Sequence, residues 1–513
     1  HKKRKKILMK FISSTNDIRN YLNQDSKNDI KFENISSDTR SIRKGSLFIA
    51  IKGPNFDGNN FIDEAFKRGA AAVLCSDEKY KSYKNNSCIC VPSVKEALIE
   101  IATNICDEFK GKKILITGSA GKTTCTFLLS KSLPNCSSTI GNFNNEIGLP
   151  LSVMHADRDS EFLVLEAGAG KPGDIEKLSE IVKPHIGLIT SISESHTEFL
   201  GDIYGVFNEK MSLAENIQES GTLILPFKDS YQINKFKEQF SYIKKVITKR
   251  KIELIFLNSD NPDPVENFQK PYFAQDLSKM FFKWEFKHNP LNEPEHFETS
   301  LVGKQNIGNI ILVAKCILKL GLSINLLKYV LINPEFSLNR STHLSWINES
   351  HLINDSYNAN PSSVYFAIEL LREASIALFK RRILILGDML ELNESSNEHK
   401  RIGAQIAGSL CEDYICEETD SMESTYSLFP ESPIEVLITY GKMAQIAANT
   451  ATKLYSEAYC HHCASDCSKV KFTAFSFIEG QEEEMKEFIN GFIKKDDIVL
   501  IKGSRGMKME RFI

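Results

Sequence analysis

Nowhere in its 513 residues does this chain carry an apolar run approaching the roughly 18 residues that a membrane-spanning helix requires. Charge of one sign is also lacking: 63 Lys and Arg stand against 66 Asp and Glu, a formal net charge of −3, which gives no basic field for nucleic acid. The one basic run, His1 to Lys6, lies ahead of Met9 and reads as an upstream remnant. No apolar stretch with a small-residue cleavage site follows it, so it is not expected to be a secretory signal, and a cytoplasmic protein without membrane insertion is expected. Proline, at 16 residues, and glycine, at 27, are too scarce for extended disorder. No repeat at solenoid periods is present.

Disulfides are not expected either. Of the 12 cysteines, Cys75, Cys125 and Cys316 sit in apolar or helical patterns typical of reduced cytosolic thiols. Cys460, His461, His462 and Cys463, followed by Cys467, have the chemistry to hold zinc, but no second ligand pair at a finger-like distance completes them. The stretch near 455–470 that contains them is read as a solvent-exposed insertion, as is 411–433.

What is present is an ordinary globular balance, 42% hydrophobic and 25% charged, in a chain too long for one core, so two to four domains are expected. Short apolar runs alternate with helical patterns, which predicts βαβ units and mainly parallel sheets, an α/β fold. Three blocks emerge, at 9–108, 109–337 and 338–513. In the first, Ser46 to Ile51 and Ala70 to Leu74 read as strands around a helix from Phe61 to Arg68. The second opens with a strand from Ile114 to Thr117 and includes a Lys-rich, less regular stretch from about 228 to 300. In the third, strands end at Ile353, Leu386, Ile438 and Ile501.

In open α/β sheets, ligands bind beyond the carboxyl ends of strands. The residues there are Gly118 to Thr124, Glu166, His196, Asp355, Gly387 with Asp388, and Lys502 to Ser504. Gly118-Ser119-Ala120-Gly121-Lys122-Thr123-Thr124 stands between an apolar strand and a helical pattern from Thr124 to Leu133, a phosphate-loop arrangement. Its glycines let backbone N–H groups approach phosphate oxygens, the helix start adds positive potential, Lys122 neutralises outer phosphates and Thr123 can ligate magnesium. Ile116 stands where the usual first glycine would be, so the loop is a shortened variant. Such a loop needs an acid on a neighbouring strand, and Glu166 after Phe162 to Leu165 supplies one.

Lys210 does not fit an ordinary amphipathic helix. From Ile203 the apolar stripe reads Ile203, Phe207, Lys210, Ala214, Ile217, which places a lysine at a core-facing position. Burying an unpaired ammonium is costly, so a lysine there calls for a special reason.

In order and spacing, Thr117 to Thr124, Glu166, His196 and Lys210 resemble the signature of the Mur ligase family, whose lysine is carbamylated and helps position a second magnesium. Thr139 to Pro150, Asn354 to Pro361, Leu386 to Leu392 and Lys502 to Gly506 are similar to the family's D-alanyl-D-alanine-adding branch, and Ser37 to Arg40 with Asp57 and Gly58 resemble its uridine-nucleotide domain. The resemblance spans about 32 to 510. It implies three domains: an N-terminal domain that binds the UDP-linked substrate, a central P-loop ATPase domain with a mainly parallel sheet, and a Rossmann-like C-terminal domain. The implied reaction is ATP-dependent joining of D-alanyl-D-alanine to UDP-N-acetylmuramoyl-tripeptide through an acyl phosphate, in peptidoglycan precursor synthesis. Two alternatives remain: another Mur-type or folylpolyglutamate-type amide ligase, and a P-loop protein that binds ATP as a regulator. The stretch from Asp355 to Pro361 argues against the first and Lys210 against the second.

Carried over residue by residue, the resemblance puts ATP on Gly118, Ser119, Ala120, Gly121, Lys122, Thr123 and Thr124, with Asn306 and Arg340 contacting the nucleotide and Asp355 beside its ribose or phosphates. Two magnesium ions are implied, one at Thr123 and Glu166 and one at His196 and carbamylated Lys210. Lys122, Glu166, His196 and Lys210 are the implied catalytic set. Thr39, Arg40, Asn142, Asn144, Asn145, Asn358 and Asn360 are implied substrate contacts, and a monomer is expected. The chain departs from the family pattern at Gln305, where a histidine is common, and at Asn339 and Asn393, where glycines are usual.

Overall fold

Runs of Ile, Leu and Val that are apolar on both faces need cover on both sides, and parallel strands flanked by helices provide it. The computed structural model describes residues 10–54, 56–81, 87–193, 195, 197–227, 236–257, 272–274, 279–284, 295–332, 342–373, 378–392, 395–407, 434–462 and 472–513. The first sheet comprises β1 (Asn34–Ser36), β2 (Ser46–Ile49), β3 (Ala70–Cys75) and β4 (Cys88–Cys90), parallel and in sequence order. The second comprises β5 (Lys112–Thr117), β6 (Cys136–Ser138), β7 (Phe162–Glu166), β8 (Ile186–Ile189), β9 (Thr222–Leu225) and β10 (Glu253–Phe256). Its order is β10-β9-β8-β5-β7-β6, parallel throughout.

The stretch that is less regular in sequence contains an antiparallel ribbon, β11 (Tyr272–Phe273), β12 (Met280–Trp284) and β13 (Glu295–Thr299). The last sheet holds β14 (Thr342–Ser345), β15 (His351–Asp355), β16 (Arg381–Gly387), β17 (Val436–Tyr440), β18 (Thr473–Phe477) and β19 (Asp497–Lys502). Its order is β14-β15-β19-β16-β17-β18, and β14 alone among these strands runs antiparallel. The final strand β19 inserts between β15 and β16, which brings Lys502 into register with Asp355.

Two of these orderings place chemistry. In the second sheet the chain runs from β5 outward to β6 and β7 on one side, then crosses to β8 on the other. The order reverses at β5, so a crevice opens beyond its carboxyl end, where Gly118 follows. The helix Lys122–Ser132 buries Cys125, Leu128 and Leu129 against Ile114 and Ile116 of β5, which fixes the loop between them. Each such fully buried Leu or Ile contributes about 1.5–3 kcal/mol.

Element bounds differ from the sequence expectation by small, explicable amounts. The helix after the loop begins at Lys122 rather than Thr124, because Gly121 in the left-handed region (φ 84°) caps it. The helix expected from Ile203 to Ile217 ends at Met211 and tightens into a 3-10 turn at Ser212–Asn216. Phe207, Lys210, Ala214 and Ile217 stay buried all the same. His196, Arg340, Asn339, Asn393, Cys463, Cys467 and the 411–433 insertion lie outside the described residues, as do the side chains of Cys460, His461 and His462. Among the described residues no helix is long and apolar enough to cross a membrane.

Candidate active site

The phosphate loop has the glycines it needs where it needs them. At Gly118 (φ 146°) a Cβ would lie 2.0 Å from Thr190 Oγ1, and at Gly121 it would lie 2.3 Å from Asn309 Oδ1. Residues after β8 brace the loop: Ser119 N donates to Ser191 O at 3.0 Å, Ala120 N to Ser191 Oγ at 2.8 Å, and Ser119 Oγ to Ser193 O at 2.8 Å. Thr190 Oγ1 donates to Ala120 O. Lys122, Thr123 and Thr124 form the first helical turn and line the cavity above it, where orphan N–H groups and the helix dipole favour an anion. Lys122 Nζ donates to Gly118 O at 2.7 Å, so the lysine folds back over its own loop.

Glu166 closes β7 at 2% exposure, with both carboxylate oxygens engaged. Oε2 accepts from Thr123 Oγ1 at 2.7 Å and Oε1 from Asn144 Nδ2 at 2.8 Å, while the Glu166 N–H donates to Thr139 Oγ1 at 2.7 Å. Thr123 and Glu166 thus offer hard oxygen ligands side by side, the donor type that magnesium takes.

Lys210 is 1% exposed. Burial, and then the positive charge of Lys122, pull its amine down to about 7, against the opposing pull of Glu209 and Asp174. The Glu209 carboxylate is already engaged, accepting from Gly173 N at 2.7 Å and Ile175 N at 2.8 Å at the start of the helix Asp174–Val182. Lys210 lies outside the set of residues lining the cavity, whereas Lys122 and Asp174, whose charges act on it, belong to that set.

The last sheet supplies the facing wall. Lys502 Nζ, on a side chain 3% exposed, pairs with Asp355 Oδ2 at 2.5 Å and donates to Asn358 O at 3.0 Å. Arg505 N donates to Asn358 Oδ1 at 3.2 Å. Asn360 caps the helix Pro361–Arg372, its Oδ1 accepting from Ser363 N at 2.8 Å. A cavity of about 1790 Å³ separates this wall from the phosphate loop, with Asn142, Asn144, Asn145, Glu166 and Asn306 also on its lining. Asn306 Nδ2 donates to Val302 O at 2.8 Å.

The structure therefore brings Ser119 to Thr124, Glu166, Asn306, Asp355 and the five predicted asparagines around one space, while Gly118 lies outside its lining. Thr39 and Arg40 stand apart on an exposed turn of the first region, where Arg40 pairs with Asp38 at 2.7 Å. Among the described residues no three His, Cys, Asp or Glu side chains converge as a metal cluster. Sequence reasoning missed Thr190, Ser191 and Asn309, and gave Thr139, the first residue of its motif, no role of its own. Thr190 and Ser191 follow β8 directly, so the strand-end rule reaches them, but Asn309 lies inside the helix Lys304–Lys319 with no local signal.

In sequence the chain matches the Mur ligase family catalytic domain over residues 31–105, the Mur ligase middle domain over 116–317 and the Mur ligase glutamate ligase domain over 340–505. The UDP-N-acetylmuramoyl-tripeptide–D-alanyl-D-alanine ligase of Buchnera aphidicola subsp. Baizongia pistaciae is 32% identical over 406 residues, 78% of this chain and 84% of that protein. The enzyme of the same name from Bacillus subtilis is 28% identical over 484 residues, 93% of this chain and 92% of that one. The fold is similar to that of MurF from Acinetobacter baumannii (TM-score 0.72, 21% identity, 96% of each chain) and of MurF ligase from Thermotoga maritima in complex with ADP (TM-score 0.68, 21% identity, 94% and 96% covered). With its three domain matches in order and the phosphate loop, acid and buried lysine set as described, this chain belongs to the Mur ligase family.

Proposed function

We propose that the chain is an ATP-dependent amide-forming ligase that joins D-alanyl-D-alanine to UDP-N-acetylmuramoyl-tripeptide in peptidoglycan precursor synthesis, acting as a cytoplasmic monomer with domains divided at 108/109 and 337/338. One observation carries the reading: a phosphate loop tied through Thr123 to Glu166 faces the Lys502–Asp355 pair across one cavity, with the buried Lys210 amine beside it.

A carboxylate does not condense with an amine in water unless it is activated. The terminal carboxylate oxygen of the tripeptide attacks the γ-phosphorus of ATP, the bond to the β-phosphate oxygen breaks, and ADP leaves behind an acyl phosphate. The dipeptide amine then adds to the acyl carbon and loses a proton, and inorganic phosphate departs as the amide forms. Lys122 and the first-turn N–H groups of the helix Lys122–Ser132 offset the charge on the transferring group. Asn306 and Asp355 would hold the nucleotide with Arg340, and Asn142, Asn145, Asn358 and Asn360 would receive the acceptors, with Thr39 and Arg40 on the uridine end.

The hard oxygens of Thr123 and Glu166 fit one magnesium ion, which when bound would neutralise and orient phosphate oxygens. An amine brought to about 7 is neutral in a substantial fraction of molecules near neutral pH, and the neutral form can take up carbon dioxide. The resulting Lys210 carbamate would be an anion that, with His196, fits a second ion. Domain closure across the cavity would exclude the water that hydrolyses acyl phosphates. The test is ADP release with the nucleotide-peptide and the dipeptide supplied singly and together. Turnover is expected only with both, and equal turnover with free glutamate or a single amino acid would overturn the reading.

A further inference from the structure

The three asparagines of the segment Thr139 to Pro150 are not equivalent. Asn142 and Asn145 are exposed, and Asn145 Oδ1 caps its own turn by accepting from Ile147 N at 3.2 Å and Gly148 N at 2.8 Å. Asn144 is half-buried and turned toward the metal acid, with Nδ2 2.8 Å from Glu166 Oε1. An ionised carboxylate can only accept, so the asparagine must present its NH₂ there. The backbone fixes this pose, because Asn144 O accepts from Gly168 N at 2.7 Å. A Cβ on Gly168 would stand 3.0 Å from Asn144 Cγ and Oδ1, so the absence of a side chain at 168 makes the seat for the amide. On the near side of Glu166, Thr139 N donates to Val164 O at 3.0 Å and Thr139 Oγ1 accepts from Glu166 N at 2.7 Å. The loop is thereby stapled to β7 on both sides of the acid.

We propose that Asn144 is a positioning residue rather than a substrate contact. Its NH₂ holds Glu166 Oε1, which sets the carboxylate plane so that Oε2 stands beside Thr123 Oγ1, ready for a hard divalent cation at the phosphate loop. Gly168 serves the same end by leaving room for the Asn144 amide. The proposal rests on the ligase reading for the identity of the reaction, but not for its test.

That test is Mn²⁺ titration by electron paramagnetic resonance on the full chain, with a non-hydrolysable ATP analogue and neither acceptor present. Loss of such an outer-shell partner weakens metal binding by about 10–100-fold, so Asn144→Ala and Gly168→Ala should each raise the Mn²⁺ dissociation constant about tenfold or more. The double variant should be no weaker than the worse single one, since both act on one contact. In turnover assays the KM values for nucleotide-peptide and dipeptide should stay within about twofold. Unchanged Mn²⁺ binding in Gly168→Ala and in any folded Asn144 variant would overturn the proposal, as would a raised acceptor KM with metal binding intact. A wild-type chain that binds Mn²⁺ with nucleotide yet never consumes the dipeptide would sink the ligase reading and leave this comparison standing.

Discussion

The central region meets its two neighbours in different ways. Toward the first region the junction is a continuous apolar core, in which Val94, Leu98 and Ile101 of the helix Val94–Glu108 pack with Leu149, Leu151 and Leu178. Its edge is laced by Lys95–Glu146, Lys183–Asp107 and Arg158–Glu108 ion pairs at 2.6, 2.8 and 3.1 Å. Toward the last region much of the space is the cavity itself, spanned at one edge by Lys304–Glu373 at 2.7 Å and by packing of the helix Lys304–Lys319 on Pro361–Arg372. Cores do not yield by degrees, whereas a junction that is largely an open cavity can open and close at little cost. On the ligase reading, the fused junction would serve as a fixed platform for the phosphate loop, and the open one is where closure would exclude water.

The comparison predicts that chemistry and stability separate by junction. The largest effects on activity belong to the cavity. Lys122→Ala is expected to lower ATP turnover more than about a hundredfold, on the scale of losing a charge-stabilising donor, while the melting temperature stays put. Lys210→Ala should lose most activity, and millimolar acetate should restore part of it by occupying the vacated anionic position. Lys210→Arg should not be rescued, because the guanidinium stays charged and fills the space. Wild-type activity of Lys210→Ala without any carboxylate would rule out the carbamate.

The next effect belongs to the fused junction. Leu98 is fully buried between the first and central regions, and Leu98→Ala should cost about 2–5 kcal/mol of stability. Calorimetry should show both regions melting together and earlier, with turnover per folded molecule near normal. Separate melting of the first region would mean that the shared core does not couple them.

How much of this could be read in the sequence differs along the same line. Glycine spacing, strand ends and the stripe through Lys210 are local patterns, so the phosphate loop, Glu166 and the buried lysine were all legible. The pinning of Glu166 by Asn144 joins residues 22 positions apart on a loop and a strand, and sequence marked Asn144 only as a substrate contact. Insertion of β19 between β15 and β16, which pairs Lys502 with Asp355, is a matter of strand order that no periodicity encodes. The antiparallel ribbon was missed because its strands are short and charged residues crowd its segment, although burial alternates along β12 and Phe282, Trp284 and Phe297 join the central core.

Acid should weaken both sides of the comparison, at pH values set by buried neutral histidines. In the central region burial, aided by Lys112 and Lys113, pushes His185 down to about 4, and its Nδ1 accepts from Lys113 N at 3.1 Å. In the last region burial lowers His399, whose Nε2 accepts from Met389 N at 3.1 Å while Nδ1 donates to Ser395 O at 2.6 Å. A histidine with a lowered folded pKa binds more protons when unfolded. Stability is therefore complete above the unfolded pKa of about 6.5 and declines as pH falls toward the folded values. Melting curves between pH 7 and 5 should fall for wild type and fall less for His399→Gln, if the glutamine keeps the bond to Met389 N. Equal slopes would show that His399 binds protons alike in the folded and unfolded chains, so that burial does not lower it.

The smallest predicted effect is the one that probes the open junction directly. Lys304 and Glu373 keep 39% and 35% of their side-chain surface exposed, and ion pairs of that kind contribute about 0–1 kcal/mol. Lys304 also sits in the first turn of its helix, where the dipole disfavours a cation and trims the gain. Lys304→Ala should therefore shift stability by less than about 1 kcal/mol, and the shift should vanish at high salt, since the Debye length is about 3 Å at 1 M. Turnover is the more sensitive readout, because the pair lies at the rim where the last region approaches the phosphate loop. A change confined to KM for ATP would make Lys304 a nucleotide contact, whereas a change in kcat that high salt reproduces in wild type would make the pair a latch on the closed state. A loss of several kcal/mol would contradict the comparison itself, since it would mean that this junction, like the other, is held as a core.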